Sequence, residues 1–113
     1  MLYHQVLPIE RDEAVRVLAH EPVERACEAL LSVAYFEDDW RWAEALFLDL
    51  IADETRDRQL RRVAVICLGH LGRIHRRISR DTVIPVLKQL KKHEYFGESA
   101  ENALDDLRSF VKR

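Results

Sequence analysis

The stretch CLGHLGRIHRR, Cys67 to Arg77, gathers a thiol, two histidines, two glycines and three arginines. Between them these types serve metal binding, phosphate binding and contact with nucleic acid. Cys67 and His70 stand three apart, a spacing that sets two zinc ligands on one helix face. A zinc site needs further ligands, and none has the spacing: His4, His20 and His93 are scattered, and His75 falls on the opposite flank from His70. Cys67 reads as a small core residue, and His70 as a partly buried side chain at the margin of an apolar face. Gly69 and Gly72 lie inside a helix, where the amides are already bonded, so they make no phosphate cradle of the kind found at a helix N-terminus. They offer either a bare strip of backbone to a partner or a place where a neighbouring helix packs closely, at a cost of about 1 kcal/mol each relative to alanine. No metal and no cofactor are expected.

Catalysis finds no constellation. Ser32, Ser79, Ser99, Ser109, Thr55 and Thr82 lie in no nucleophile motif. Asp105 and Asp106 are adjacent and so point about 100° apart on a helix, which makes no dyad. The expectation is a binding protein and not an enzyme.

Two groups of residues suit binding. Arg58, Arg61, Arg62, Arg73 and Arg76 project to one side of a helix. They match phosphates or an acidic protein partner; alternatively they are a solvated face, or one neutralised by Glu44, Asp49 and Asp53 of the preceding helix. No aromatic residue interleaves with these arginines, although single-strand nucleic-acid binders usually offer stacking platforms. The balance of 18 basic and 20 acidic residues, net −2, neither requires a polyanion nor excludes one. A protein partner is therefore preferred to nucleic acid. The second group lies in FEDDWRW. Trp42 falls on the polar side of its helix, either as an interface anchor or as the cover of a seam between helices. Glu37, Asp38 and Asp39 serve either as charges at a helix start or as an acidic rim facing a basic partner.

The elements that must hold these residues are helices. Of the 113 residues 48% are hydrophobic and 34% charged, with only three glycines and three prolines, which leaves little material for the turns of a many-stranded sheet. The chain suits one compact domain over residues 1–113. At 100° steps, residues 56 to 78 place Leu60, Val63, Ala64, Cys67, Leu71, Ile74 and Ile78 opposite the arginines. Apolar stripes also run through PVERACEALLSVAYF, with Pro22 at a first helical position, and through DDWRWAEALFLDLIADE, capped by Asp38 or Asp39. SRDTVIPVLKQLKK has a Ser79 cap and a Pro85 that implies a kink or a late start, and GESAENALDDLRSFVKR supplies another stripe. A short helix near IERDEAVRVLA makes about six. No stretch is apolar for the roughly 18 residues of a membrane span. The opening MLYHQVLPIERDE lacks the charged and apolar regions of a secretion signal. With two cysteines, Cys27 and Cys67, the default is a soluble cytoplasmic protein with reduced thiols.

The stripes repeat. Cys67, Leu68 and Leu71 match Ala103, Leu104 and Leu107 at an offset of 36, and Ala29, Leu30 and Val33 precede them by 38. Ala43, Leu46, Phe47 and Leu50 match Val83, Val86, Leu87 and Leu90 at an offset of 40. Two helix types thus alternate with a period near 38 residues, the signature of stacked helix pairs. VAVICLGHLGRIH resembles the inner helix of a HEAT repeat. DDWRW followed by CLGHLGRIH and AENALDDL is similar to short bacterial HEAT-like proteins and, more loosely, to the α-helical immunity proteins of toxin and immunity pairs. The resemblance covers roughly residues 36 to 110, and ADETRDRQLRR departs from it by lacking a Pro-Asp turn before the inner helix. It implies an all-α, short right-handed HEAT-like solenoid of about six antiparallel helices. It further implies a non-catalytic inhibitor that binds a cognate toxin through Arg58, Arg62, Arg73 and Arg76, with Trp42 and the rim of Glu37, Asp38 and Asp39. A HEAT-like nucleic-acid binder using the same arginines, or a general scaffold, are the alternatives.

Overall fold

The computed structural model describes residues 6–112; Met1 to Gln5, His4 among them, and Arg113 lie outside the described residues. Six helices follow one another: α1 Arg11–His20, α2 Val23–Phe36, α3 Trp40–Ala52, α4 Arg58–His75, α5 Arg80–Leu90 and α6 Gly97–Phe110. The described residues contain no strand.

Local chemistry sets several of the boundaries. Asp39 caps α3, its carboxylate accepting from the amides of Arg41 at 3.1 Å and Trp42 at 3.3 Å. Asp57 does the same for α4 with Gln59 and Leu60, so α4 begins sharply without a proline. Side chains that accept from these otherwise unpaired first-turn amides are the usual start signal. α4 ends three residues before the apolar pattern does, because Arg76 takes the left-handed conformation at φ 59° and turns the chain. Pro22 sits one residue before α2. α5 starts at Arg80 and continues past Pro85, which is exposed on its second turn, so the late start does not occur.

Packing pairs α1 with α2, α3 with α4 and α5 with α6, while α2, α4 and α6 touch in that order. The offset-matched residues occupy equivalent places, except that Leu50 is buried and Leu90 half-buried. Leu30, Leu68 and Leu104 are buried, as are Val33, Leu71 and Leu107. In the other helix type Ala43 and Val83, and Phe47 and Leu87, are buried as well. Helix α4 is the centre of the stack, in contact with α2, α3 and α6. Its buried set is Leu60, Ala64, Val65, Cys67, Leu68, Gly69, Leu71 and Gly72.

This corrects the orientation of α4. Val65 and the glycines, which a hydrophobicity count sets at the edge of the arginine face, are fully inside, and Ile74 is 41% exposed. The reason is that glycine carries almost no hydropathy signal yet marks the closest helix approach. At Gly69 a β-carbon would stand 3.1 Å from Cα of Ala103, and at Gly72 it would collide with the Leu107 side chain. The glycines therefore serve helix packing and are not open to a partner. Glu44 is likewise not a surface charge: it is 6% exposed and accepts from the Ser79 amide at 2.7 Å, tying α3 to the start of α5.

Gly72→Ala should lower stability by about 1–2 kcal/mol, because the overpacking against a buried Leu107 outweighs the ~1 kcal/mol gained in helix propensity. Urea unfolding measures it; a midpoint at or above wild type would show that α6 is free to move.

Candidate functional site

With α2, α3 and α6 packed against α4, the half-exposed residues of α4 include one strip: Arg62, Ile66, His70 and Arg73. These positions recur at i, i+4, i+8 and i+11, which is one line along a helix. On the α2 side the strip is flanked by Tyr35, whose ring lies 5.3 Å from that of His70. On the α6 side it is flanked by Asp106, whose carboxylate is 3.9 Å from Nε of Arg73. Polar groups of three helices thus form a row across the strip.

Within that row Arg73 donates through Nη2 to Nδ1 of His70. Burial, and then the Arg73 charge, push the His70 imidazole below its ordinary pKa, while Asp106 opposes the shift. The shift favours the neutral imidazole, the form that can accept a hydrogen bond from a guanidinium. It shares no open site with Cys67, which is completely buried, its thiol pushed far up by desolvation. Among the described residues no group of three or more His, Cys, Asp or Glu side chains is placed to hold a metal ion.

The five arginines do not form one solvated face. Arg61 turns inward and donates from Nε and Nη2 to the carbonyl of Ile51, at 3.0 and 2.7 Å, closing the end of α3. Its guanidinium also lies 5.1 Å from the Phe96 ring. Arg58 and Arg62 lie over Tyr95, and Arg76 over Phe110 at 5.5 Å. Aromatic rings do interleave with the arginines, then, but they come from the α5–α6 connection and from α6. HEYFGES reads locally as a turn, so only the three-dimensional packing of Phe96 into the core brings Tyr95 beside α4. Of the acidic residues at the end of α3, the Asp53 carboxylate accepts from Thr55 and faces Arg56, with the Arg61 charge also nearby.

The second candidate group is assembled by a residue that sequence reading passed over. Arg11, at the first position of α1, donates from Nη2 to Oε2 of Glu37 at 2.6 Å and from Nε to Oε1 at 3.1 Å. Nη2 also reaches Asp39 at 3.5 Å, and the guanidinium lies 4.9 Å from the Trp42 ring. Arg11 is 26 residues from Glu37, and no local pattern announces such a pair. The acidic rim is therefore partly neutralised and partly used: Glu37 also accepts from the Asp39 amide at 3.0 Å, while Asp39 caps α3. Trp42 is half-buried and packs against the core. A shallow cleft of about 410 Å³ opens beside it, lined by Pro8, Ile9, Arg11, Phe36, Glu37 and Asp38 among others. The two groups meet near the C-terminal end of α2, where Tyr35 faces α4 and Glu37 faces Arg11. No helix among the described residues is long and apolar enough to cross a membrane.

No protein-family model matches the chain, and no curated protein matches it. The chain is similar to one in the crystal structure of a CDI complex from Cupriavidus taiwanensis LMG 19424. The two are 36% identical over 97% of this chain and 96% of that one, with a TM-score of 0.85.

The Arg11 bridge carries a pH signature. The hydrogen bond from Arg11 holds the Glu37 carboxyl below its ordinary range, so the folded state favours the ionised form. The stability this contributes is present above the ordinary carboxylate range and is lost as pH falls through the depressed folded value. Between about pH 6 and about pH 3, Arg11→Gln should show a smaller drop in melting temperature than wild type. Parallel curves for the two proteins would remove Arg11 from this role.

Proposed function

The chain belongs to the family of that CDI-complex component, and from this premise we propose that it is the immunity-type member of a contact-dependent inhibition pair. It is a non-catalytic protein that binds a cognate toxin domain and neutralises it. The carrying observation is the match itself, 36% identity over nearly the full length of both chains, to a protein crystallised in a complex. At this identity and coverage the packed row of helices is shared, not only the helix count.

The use of polar groups supports the inhibitor reading over an enzyme. Asp39 and Asp57 cap helices, Glu44 and Arg61 tie elements together, and Glu37 answers Arg11. The histidine in the exposed row is hydrogen-bonded to an arginine and faces a tyrosine ring, not a nucleophile. The partner surface we propose is the α4 strip between α2 and α6. Arg62 and Arg73 supply positive charge there, Ile66 and Tyr35 supply apolar contact, and Arg58 and Arg76 extend the charge toward the two ends of the helix. Mixed aromatic, arginine and aliphatic composition of this kind is what interface centres favour. The group of Glu37, Asp38, Asp39 and Trp42 forms the rim. We read the paired helices as a HEAT-like stack forming one domain, acting in the cytoplasm. The pairing of α1 with α2, α3 with α4 and α5 with α6 supports that arrangement.

Affinity purification of the tagged chain from its native lysate should recover one stoichiometric protein with or without nuclease treatment. That protein should be toxic when produced alone and harmless when this chain is co-produced. Arg62→Glu with Arg73→Gln should weaken the complex by about 100-fold while the circular-dichroism melt stays cooperative. Partners lost after nuclease treatment would favour a nucleic-acid role for the same arginines. Full affinity in the double variant would reject the strip.

A further inference from the structure

Arg58 and Arg62 stand one turn apart at the start of α4, and both guanidinium groups lie against a single ring, 4.5 and 5.2 Å from the centre of Tyr95. The ring is held from behind. It meets Phe96 edge-on at 5.0 Å, and Phe96 is buried in the core. The Tyr95 amide donates to Nδ1 of His93 at 3.1 Å. An aromatic face attracts each cation, but it also holds the two like charges close together, where they repel. Such an arrangement calls for a counter-charge.

No carboxylate among the described residues is ion-paired with either of them. Arg11, Arg16, Arg25, Arg56, Arg73 and Arg108 each face a carboxylate, and Arg61 is bonded to a carbonyl. Among the described residues neither Arg58 nor Arg62 has an ion pair. The acidic residue next to them in sequence, Asp57, accepts from the amides of Gln59 and Leu60. Nε of Arg62 is also buried without a hydrogen-bond partner, a donor that folded proteins rarely leave unmet. Beside Arg58 opens a cleft of about 530 Å³ lined by Arg58, His93, Glu94 and Tyr95.

We infer that Arg58 and Arg62, held by Tyr95, form a receptor for one carboxylate side chain, an Asp or Glu on an exposed loop of the partner protein. A carboxylate accepts several N–H donors at once and suits a pair of guanidinium groups. A nucleic-acid strand is a poorer occupant. Its backbone needs a track of cations with bases stacked alongside, whereas here two cations share one ring, whose face the guanidinium groups already occupy. The inference rests on the immunity reading for the source of the carboxylate, while the chemistry of the receptor is readable without it.

The test is an NMR titration of the full chain with arginine Nε–Hε groups observed, using the blocked acidic peptide acetyl-Asp-Glu-Asp-Glu-amide as probe. A uridine oligonucleotide of the same charge is titrated in parallel. The Arg62 Nε–Hε signal should shift and saturate with the peptide, and the oligonucleotide should bind more weakly. Arg58→Gln and Arg62→Gln should each weaken peptide binding about tenfold, the worth of one hydrogen bond to a charged group. Tyr95→Phe, which keeps the ring, should leave it within about twofold, while Tyr95→Leu should weaken it because the cations lose their seat. Arg58 is exposed, so its variant reads the site even where Arg62→Gln loses stability. No saturable shift, or tighter binding of the oligonucleotide, overturns the receptor. A wild-type chain that binds the peptide in this way but neutralises no toxin would instead overturn the immunity reading and leave the receptor standing.

Discussion

Gly69 and Gly72 let α6 lie so close to α4 that a methyl group at either position would meet Ala103, Asp106 or Leu107. This contact sets the rotation of α4 about its own axis. Because α4 also touches α2 and α3, its rotation decides which residues line the core and which line the outer strip. Turned toward α6, the helix buries Val65 and both glycines and leaves Arg62, Ile66, His70 and Arg73 half-exposed. The proposed interface is thus a by-product of a packing constraint: the close approach removes one face of α4 from solvent, and what remains forms a row with Tyr35 and Asp106.

The charged residues divide by whether the fold uses them. Caps at Asp39 and Asp57 satisfy first-turn amides, Glu44 and Arg61 bond backbone groups across elements, and Arg11 answers Glu37. Such groups cost stability if left unpaired, so their partners are part of the fold. Exposed ion pairs such as Arg108 with Asp105 add little. Arg58 and Arg62 fall outside both sets: they stack on an aromatic ring with no ion pair among the described residues. A surface that keeps two positive charges together in this way is suited to an acidic partner, since complementary charge raises encounter rates and rejects wrong partners.

Helix number and type were legible because the apolar stripes are strong and only Pro85 falls inside one. The alternation of two helix types was legible too, in residues such as Leu30, Leu68 and Leu104, which match at nearly constant offset and prove to be equivalently buried. The rotation of α4 was not, because hydropathy weighs Gly69 and Gly72 near zero and the four arginines at positions 58, 61, 62 and 73 dominate the projection. The cluster around Arg11 escaped for a different reason: pairs 26 residues apart have no local pattern. Tyr95 was missed likewise, since a ring in a turn becomes a platform for α4 only when Phe96 docks.

The central claim is that the strip of α4 between α2 and α6 is where a toxin partner binds. Hydrogen–deuterium exchange of the chain alone and in complex with that partner tests it most directly, read together with side-chain protection of arginines from a guanidinium-selective label. The account predicts label protection at Arg58, Arg62 and Arg73 and slowed exchange in α4 and the C-terminal half of α2, with α5 unchanged. Protection confined to α5 would contradict it, because that helix carries no residue of the strip or its rim.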